Sequence, residues 1–209
     1  KIFIYGVIAQ VITLLLGIII PKLLIVSYGS EVNGLLSSVR QIFVYVALLE
    51  AGIGTASLQA LYAPVARHDY QRISEIMAAT DHYYRRTGIL YGIAVVILAV
   101  VYPLVIESEI SMPIISGVIF FQGASGVINY FFQGKFSILL RVDGKSYITT
   151  NVTTIVNIAS KLAQIMLILN GCNILIVQIA YFVINLLQML YITWYVKKHY
   201  AWLDLKVKP

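Results

Sequence analysis

The chain has little charge for its size and a single cysteine. Only 11% of its 209 residues are Asp, Glu, Lys or Arg, and 60% are hydrophobic. A soluble domain carries about 25% charged residues, and one ordinary core cannot hide this many apolar side chains. The lone cysteine, Cys172, excludes an internal disulfide and a cysteine cluster for metal. The three histidines, His68, His82 and His199, lie far apart in the sequence and show no metal-ligand spacing. HExxH, GxSxG and paired catalytic carboxylates in a loop are all missing. Gly144-Lys145-Ser146 matches the end of a phosphate-binding P-loop, but Leu139 stands where its first glycine belongs and no strand precedes it. No enzymatic activity and no cofactor are therefore expected. No cleavable signal peptide is read either, because the first apolar run is too long and lacks a small-residue cleavage site.

Long apolar runs take the place of these features. A helix needs about 20 apolar residues to cross the hydrocarbon, and six runs qualify, at approximately 2–26, 34–62, 87–106, 113–133, 147–169 and 174–196. The expected fold is an all-α integral membrane unit of six transmembrane helices over residues 1–209, without internal repeats or linkers. Tyr28-Gly29-Ser30, Glu107-Ser108-Glu109 and Asn170-Gly171-Cys172-Asn173 are predicted turns at one end. The polar segment 63–86 has the length of one short interfacial helix. Gly88 and Gly92 form a GxxxG pair, which lets two helices approach closely.

Charge sets the orientation. Of the 15 Lys and Arg residues, twelve fall in four alternate zones: Lys1; Arg67, Arg72, Arg85 and Arg86; Lys135, Arg141 and Lys145; Lys197, Lys198, Lys206 and Lys208. The intervening zones hold Glu31, Glu107 and Glu109 with only Lys22 nearby. This is the positive-inside pattern, and it places both termini on the cytoplasmic side. The net charge of +6 is thus matched to anionic lipid at the inner face, and no nucleic-acid partner is expected. Tyr62, Tyr83, Tyr84, Tyr147, Trp194 and Tyr195 mark the inner interface, and Tyr28 and Tyr102 the outer one. The chain opens on Lys1 and closes on Pro209 without a helix stop, so it is expected to be cut from a longer protein at both ends.

Three charges lie inside apolar runs, where a functional role is the default hypothesis. Arg40 and Glu50 share the second span with Gln41; ten residues apart, they are about 15 Å apart along a helix and cannot pair. Snorkelling to headgroups is the bland reading of Arg40, and a structural carboxyl that of Glu50. In the fifth span Thr150, Thr153, Thr154, Asn157, Lys161 and Gln164 recur every three or four residues, forming a one-sided polar stripe. Interhelical hydrogen bonding accounts for its Thr and Asn, less easily for Lys161. Gln122, Ser125, Asn129 and Gln133 make a similar face on the fourth span. Counted from the outer ends of their helices, Arg40 and Lys161 match in depth within about 5 Å. Two cations at one level suit a phosphate or pyrophosphate, with Arg giving bidentate contact and Lys a point charge.

Tyr28-Gly29-Ser30-Glu31-Val32-Asn33-Gly34-Leu35 resembles the first outer loop of Wzx-like polysaccharide flippases, members of the multidrug/oligosaccharidyl-lipid/polysaccharide exporter superfamily. Leu49-Glu50-Ala51-Gly52-Ile53-Gly54, Ala66-Arg67-His68-Asp69, Leu140-Arg141-Val142-Asp143-Gly144-Lys145-Ser146-Tyr147 and Lys197-Lys198-His199-Tyr200-Ala201-Trp202-Leu203 are similar to later segments of that family, in the same order. The resemblance implies the N-terminal lobe of a twelve-to-fourteen-helix transporter in the bacterial cytoplasmic membrane. It implies flipping of undecaprenyl-pyrophosphate-linked oligosaccharide to the outer leaflet by alternating access. The implied partners are that lipid-linked sugar, membrane lipids, a C-terminal lobe of the same chain and the glycan polymerase machinery. Arg40, Lys161, Asn157, Gln41, Gln122 and Asn129 are the expected substrate-binding residues, and Glu50 the expected ion-coupling one. The alternatives are a lipid II flippase, a drug or cation exporter of the same superfamily, and a membrane-embedded glycan polymerase or transferase.

Overall fold

The computed structural model describes residues 2–48 and 51–207, with backbone alone at 2–8, 51 and 53. Among the described residues the fold is helical throughout. Five helical stretches are long and apolar enough to cross a membrane: Ala9–Ala47, Tyr70–Val105, Met112–Val142, Ser146–Leu169 and Ile174–His199. That is the make-up of a multi-pass membrane protein.

Helix α1 (Ile2–Ala47) is broken at Gly29, whose φ of 88° and ψ of 166° lie in a region open essentially to glycine alone. The chain folds back there. The Lys161 ammonium donates to the Thr13 carbonyl oxygen of the first limb at 2.7 Å and lies within Coulombic reach of Arg40 on the second. A straight helix would hold Thr13 and Arg40 about 40 Å apart. The predicted turn at Tyr28-Gly29-Ser30 is thus present.

Helix α2 (Ala51–Ala66) follows, packed on the helical segments Tyr70–Val105 and Gly134–Val142. Helix α3 (Tyr70–Val105) corrects the reading of 63–86 as a polar segment with one short interfacial helix: its 36 residues run unbroken from the inner polar segment through the apolar span. Asp69 caps its start by accepting from the Arg72 N–H at 3.0 Å, and no glycine or proline interrupts residues 70–87, so nothing stops the helix from extending into water. Helix α4 (Met112–Ile128) passes through a π-turn (Asn129–Gln133) into α5 (Gly134–Val142). The fourth span therefore reaches beyond its expected end at 133. Helices α6 (Ser146–Leu169) and α7 (Ile174–His199) match the last two expected spans to within three residues.

Hydrophobic attraction does not drive helix association in lipid, so close packing must. The α3–α4 crossing achieves it with glycines beneath large side chains. A Cβ at Gly123 would lie 2.5 Å from Val95, one at Gly126 would lie 2.7 Å from Tyr91, and one at Gly134 would lie 2.3 Å from Tyr84. Gly88 of the GxxxG pair meets Phe131 and Tyr130 in the same way. Above these glycines runs a ladder of rings: Tyr84 and Tyr91 each pack on Tyr130, and Phe43 packs on Tyr91.

The bundle has two unlike ends. At one, the Tyr28 hydroxyl donates to the Cys172 carbonyl oxygen, and Glu31 accepts from the Glu109 N–H at 3.0 Å. At the other, Tyr200 reaches Asp143, Trp202 packs on Tyr70, and the Asp204 N–H reaches Ser74. Acidic turns thus gather at one end and basic segments at the other, as the alternating charge requires.

Replacing Gly123 with valine is expected to destabilise the bundle by about 1–3 kcal/mol through overpacking. Gly34→Ala, where a Cβ meets open space, is expected to be neutral or slightly stabilising. Thermal unfolding in detergent distinguishes the two, and equal melting temperatures would contradict the packing described.

Candidate functional site: a polar cavity between α1, α4, α6 and α7

A cavity of about 660 Å³ opens among both limbs of α1 and helices α4, α6 and α7. Each helix turns one polar stripe toward it. Helix α4 supplies Gln122 and Ser125, and the π-turn supplies Asn129 and Gln133. Helix α6 supplies Asn157, Ser160, Lys161 and Gln164, and α1 adds Asn33, Ser37 and Arg40. Arg40, Lys161, Asn157, Gln122 and Asn129 are therefore brought together, as the stripes in the sequence suggest. Gln41 is exposed and lies off the cavity wall, because one residue turns a helix by about 100°. Glu50 lies outside the described residues.

Four lining residues on α7 escape the sequence reading: Gln178, Tyr181, Asn185 and Gln188. Their spacing of three, four and three puts them on one face. That period was available, but the apolar residues between them mask it in any averaged hydropathy. Gln188 donates to Gln133 and to Thr153, each at 3.1 Å, and so ties α7 to the π-turn and to α6. Thr153 of the α6 stripe thus serves helix packing, whereas Asn157, Lys161 and Gln164 line the cavity.

Lys161 does two things. Its bond to the Thr13 carbonyl holds the first limb of α1 against α6, and Gly17 leaves room for the ammonium, since a Cβ there would lie 3.2 Å from it. Its charge also adds to that of Arg40 within the cavity. No acidic residue is among the described lining residues, so the electrostatic field there is positive. Several polar groups on the wall are unspent. The Gln122 carbonyl oxygen and the Ser160 hydroxyl are buried without a protein partner. The Gln178 side chain, on a residue 7% exposed, makes no hydrogen bond to any described residue. Buried polar atoms normally find partners, and a polar ligand entering here meets donors and acceptors ready to bind it.

Comparison with protein-family models, with curated proteins and with solved structures finds no match to this chain.

Two further constellations lie at the basic end. Lys135, expected in a solvated loop, is 4% exposed on α5 and forms a buried ion pair with Asp81 of α3. Arg85 also bonds the Asp81 carboxylate, at 2.8 Å. The correction has a simple cause: the helix continues through the π-turn, which carries Lys135 onto α3. In the second constellation the Asp143 carboxylate accepts from the Tyr200 hydroxyl at 2.5 Å and pairs with Lys145 at 2.7 Å. Burial alone would raise the Asp143 carboxyl, but hydrogen bonds from Lys145 and Tyr200 outweigh it and hold it below its ordinary value. The bond to Asp143 raises the Lys145 ammonium. Burial, with the Asp143 bond, pushes the Tyr200 phenol up. Among the described residues no group of three His, Cys, Asp or Glu side chains is placed to hold a metal ion.

Breaking a buried pair from one side leaves a charge uncompensated. Lys135→Met is expected to cost about 3 kcal/mol, whereas the double change Asp81→Asn with Lys135→Met costs less; denaturant titration of both variants checks the order, and equal losses would contradict a buried pair.

The Asp143 clamp has a defined pH window. A carboxyl with a lowered folded pKa contributes stability above its unfolded value and loses it as pH falls through the folded one. A raised lysine contributes below its unfolded value and loses it as pH rises through the folded one. The clamp therefore persists between about pH 5 and 9. Tyr200→Phe is expected to cost about 1 kcal/mol, unchanged across that window and shrinking as Asp143 is protonated below the ordinary carboxylate range. Melting curves of both proteins against pH measure this, and a cost that varies between pH 6 and 8 would rule the clamp out.

Proposed function

We propose that the chain is one lobe of a transporter that flips undecaprenyl-pyrophosphate-linked oligosaccharide across the bacterial cytoplasmic membrane. The observation that carries this reading is the cavity: two cations, Arg40 and Lys161, amides from four helices around them, and no acid among the described lining residues. A pyrophosphate needs cationic donors in a site shielded from bulk water. Sugar hydroxyls need a wall of amides that both donate and accept. The same composition disfavours a cation or drug exporter, whose cargo calls for a negative cavity.

In this reading the limbs of α1 count as two crossings, so the lobe crosses six times with both termini in the cytoplasm. The basic end of the bundle supports that orientation. The second lobe, from the remainder of a longer chain, faces the cavity, and the two open alternately to either side. Headgroup and sugars pass through the polar cavity while the lipid tail stays in the bilayer. Glu50 is the proposed ion-coupling residue. A glycan polymerase would act on the product at the outer face.

Transport by the full-length protein tests this in vesicles loaded with a fluorescent lipid-linked sugar. Arg40→Gln with Lys161→Met is expected to reduce flipping at least about a hundredfold, as loss of two charge-assisted contacts implies. Lys161→Arg, which keeps the charge and a donor for Thr13, is expected to retain most activity. Normal flipping by the double variant, correctly inserted, would sink the proposal.

A further inference from the structure

A second cavity, of about 400 Å³, opens between α2, α3 and α5. Ala47 lines both cavities, so the two adjoin. The polar wall of the second consists of Arg141, Ser137, Thr55 and Tyr84. Arg141 and Ser137 are four residues apart on α5 and so share one face.

Among the described residues, three acids near the basic end are already engaged. Asp81 holds Lys135 and Arg85, Asp143 holds Lys145, and Glu75 holds Arg72. The Arg141 guanidinium forms no ion pair or hydrogen bond with any described residue, and neither does the Ser137 hydroxyl. A guanidinium with five donors and no acceptor, beside a free hydroxyl in a partly enclosed cavity, matches a tetrahedral oxyanion. This site is separate from Arg40 and Lys161. Gln122, which donates to the Leu36 carbonyl one turn from Arg40, precedes Arg141 by 19 positions on the α4–α5 rod, about 28 Å along a helix.

We infer that Arg141 and Ser137 form an inner phosphate-binding subsite, which holds a phosphate or diphosphate group at the basic end before it reaches Arg40 and Lys161. The order of passage rests on the flippase reading; the binding itself does not. Arg fits the group bidentately, the serine hydroxyl adds a third contact, and the shared border at Ala47 puts the group next to the central cavity.

The test is pyrophosphate binding to the full-length protein in phosphatidylcholine nanodiscs, measured by calorimetry. The Arg40→Gln, Lys161→Met variant is expected to keep one pyrophosphate site that weakens with salt. Adding Arg141→Gln is expected to weaken that site by about tenfold or more, and adding Ser137→Ala instead by a few-fold. Because the Arg141 side chain bonds to no described residue, its substitution is expected to leave the melting temperature unchanged. A triple variant that binds as tightly as the double, or a double variant that binds no pyrophosphate, would overturn the inference. Competition by dihexanoyl phosphatidic acid identifies a lipid-borne phosphate as the ligand; binding without competition identifies a water-borne one, and both support the site. A protein that binds at Arg141 but flips no lipid-linked sugar keeps this inference and loses the flippase reading.

Discussion

Polar groups at membrane depth must be satisfied by each other, by water or by a ligand, and this constraint organises the whole bundle. Lipid supplies no hydrogen bonds, so each helix turns its amides and charges inward and its Ile, Val and Leu outward. Four helices that do this around one axis enclose a polar cavity. The cavity follows from where Gln122, Asn157, Arg40 and Gln188 fall on their helices. The exposed faces at Ile97, Ile155 and Leu187 follow from the same periodicity read on the other side.

That logic explains what was legible in the sequence. The Gly29 break, the acidic turn at Glu107 to Glu109 and the Asn170 to Asn173 turn interrupt hydropathy sharply, so they are read directly. The stripes on α4 and α6 are visible as three-and-four spacing. The α7 stripe follows the same rule but is diluted among large apolar residues. Hydropathy also misplaces the start of α3, because a helix that leaves the membrane becomes polar without ending; the uninterrupted run from Tyr70 was the signal to follow. Pairings between distant segments are not legible at all. Asp81 and Lys135 lie 54 residues apart, and nothing in either neighbourhood names the other.

Structure and chemistry divide along the bundle. The α3–α4 crossing, with glycines under aromatic rings and the Asp81–Lys135 pair beneath, is tightly packed. The first limb of α1 is held more lightly: Lys161 bonds its Thr13 carbonyl, and Leu24 is its one buried side chain among those described. The cavity lies between these two parts, so its width depends on the more loosely held side. A transporter lobe needs that asymmetry: a fixed wall to present binding groups, and a wall that can yield when cargo enters.

Water access to the cavity wall tests the central claim most directly. In a Cys172→Ser background, single cysteines at Gln122, Asn157 and Asn185 would be compared with cysteines at Ile97, Ile155 and Leu187, using a membrane-impermeant sulfonate maleimide on the full-length protein. The account predicts rapid labelling at the first three positions and none at the last three, because a thiol reacts only where water lets it ionise. Equal labelling at both sets, or labelling of the second set alone, would mean that the polar faces do not enclose a hydrated cavity, and the proposed passage of a charged headgroup would fall with it.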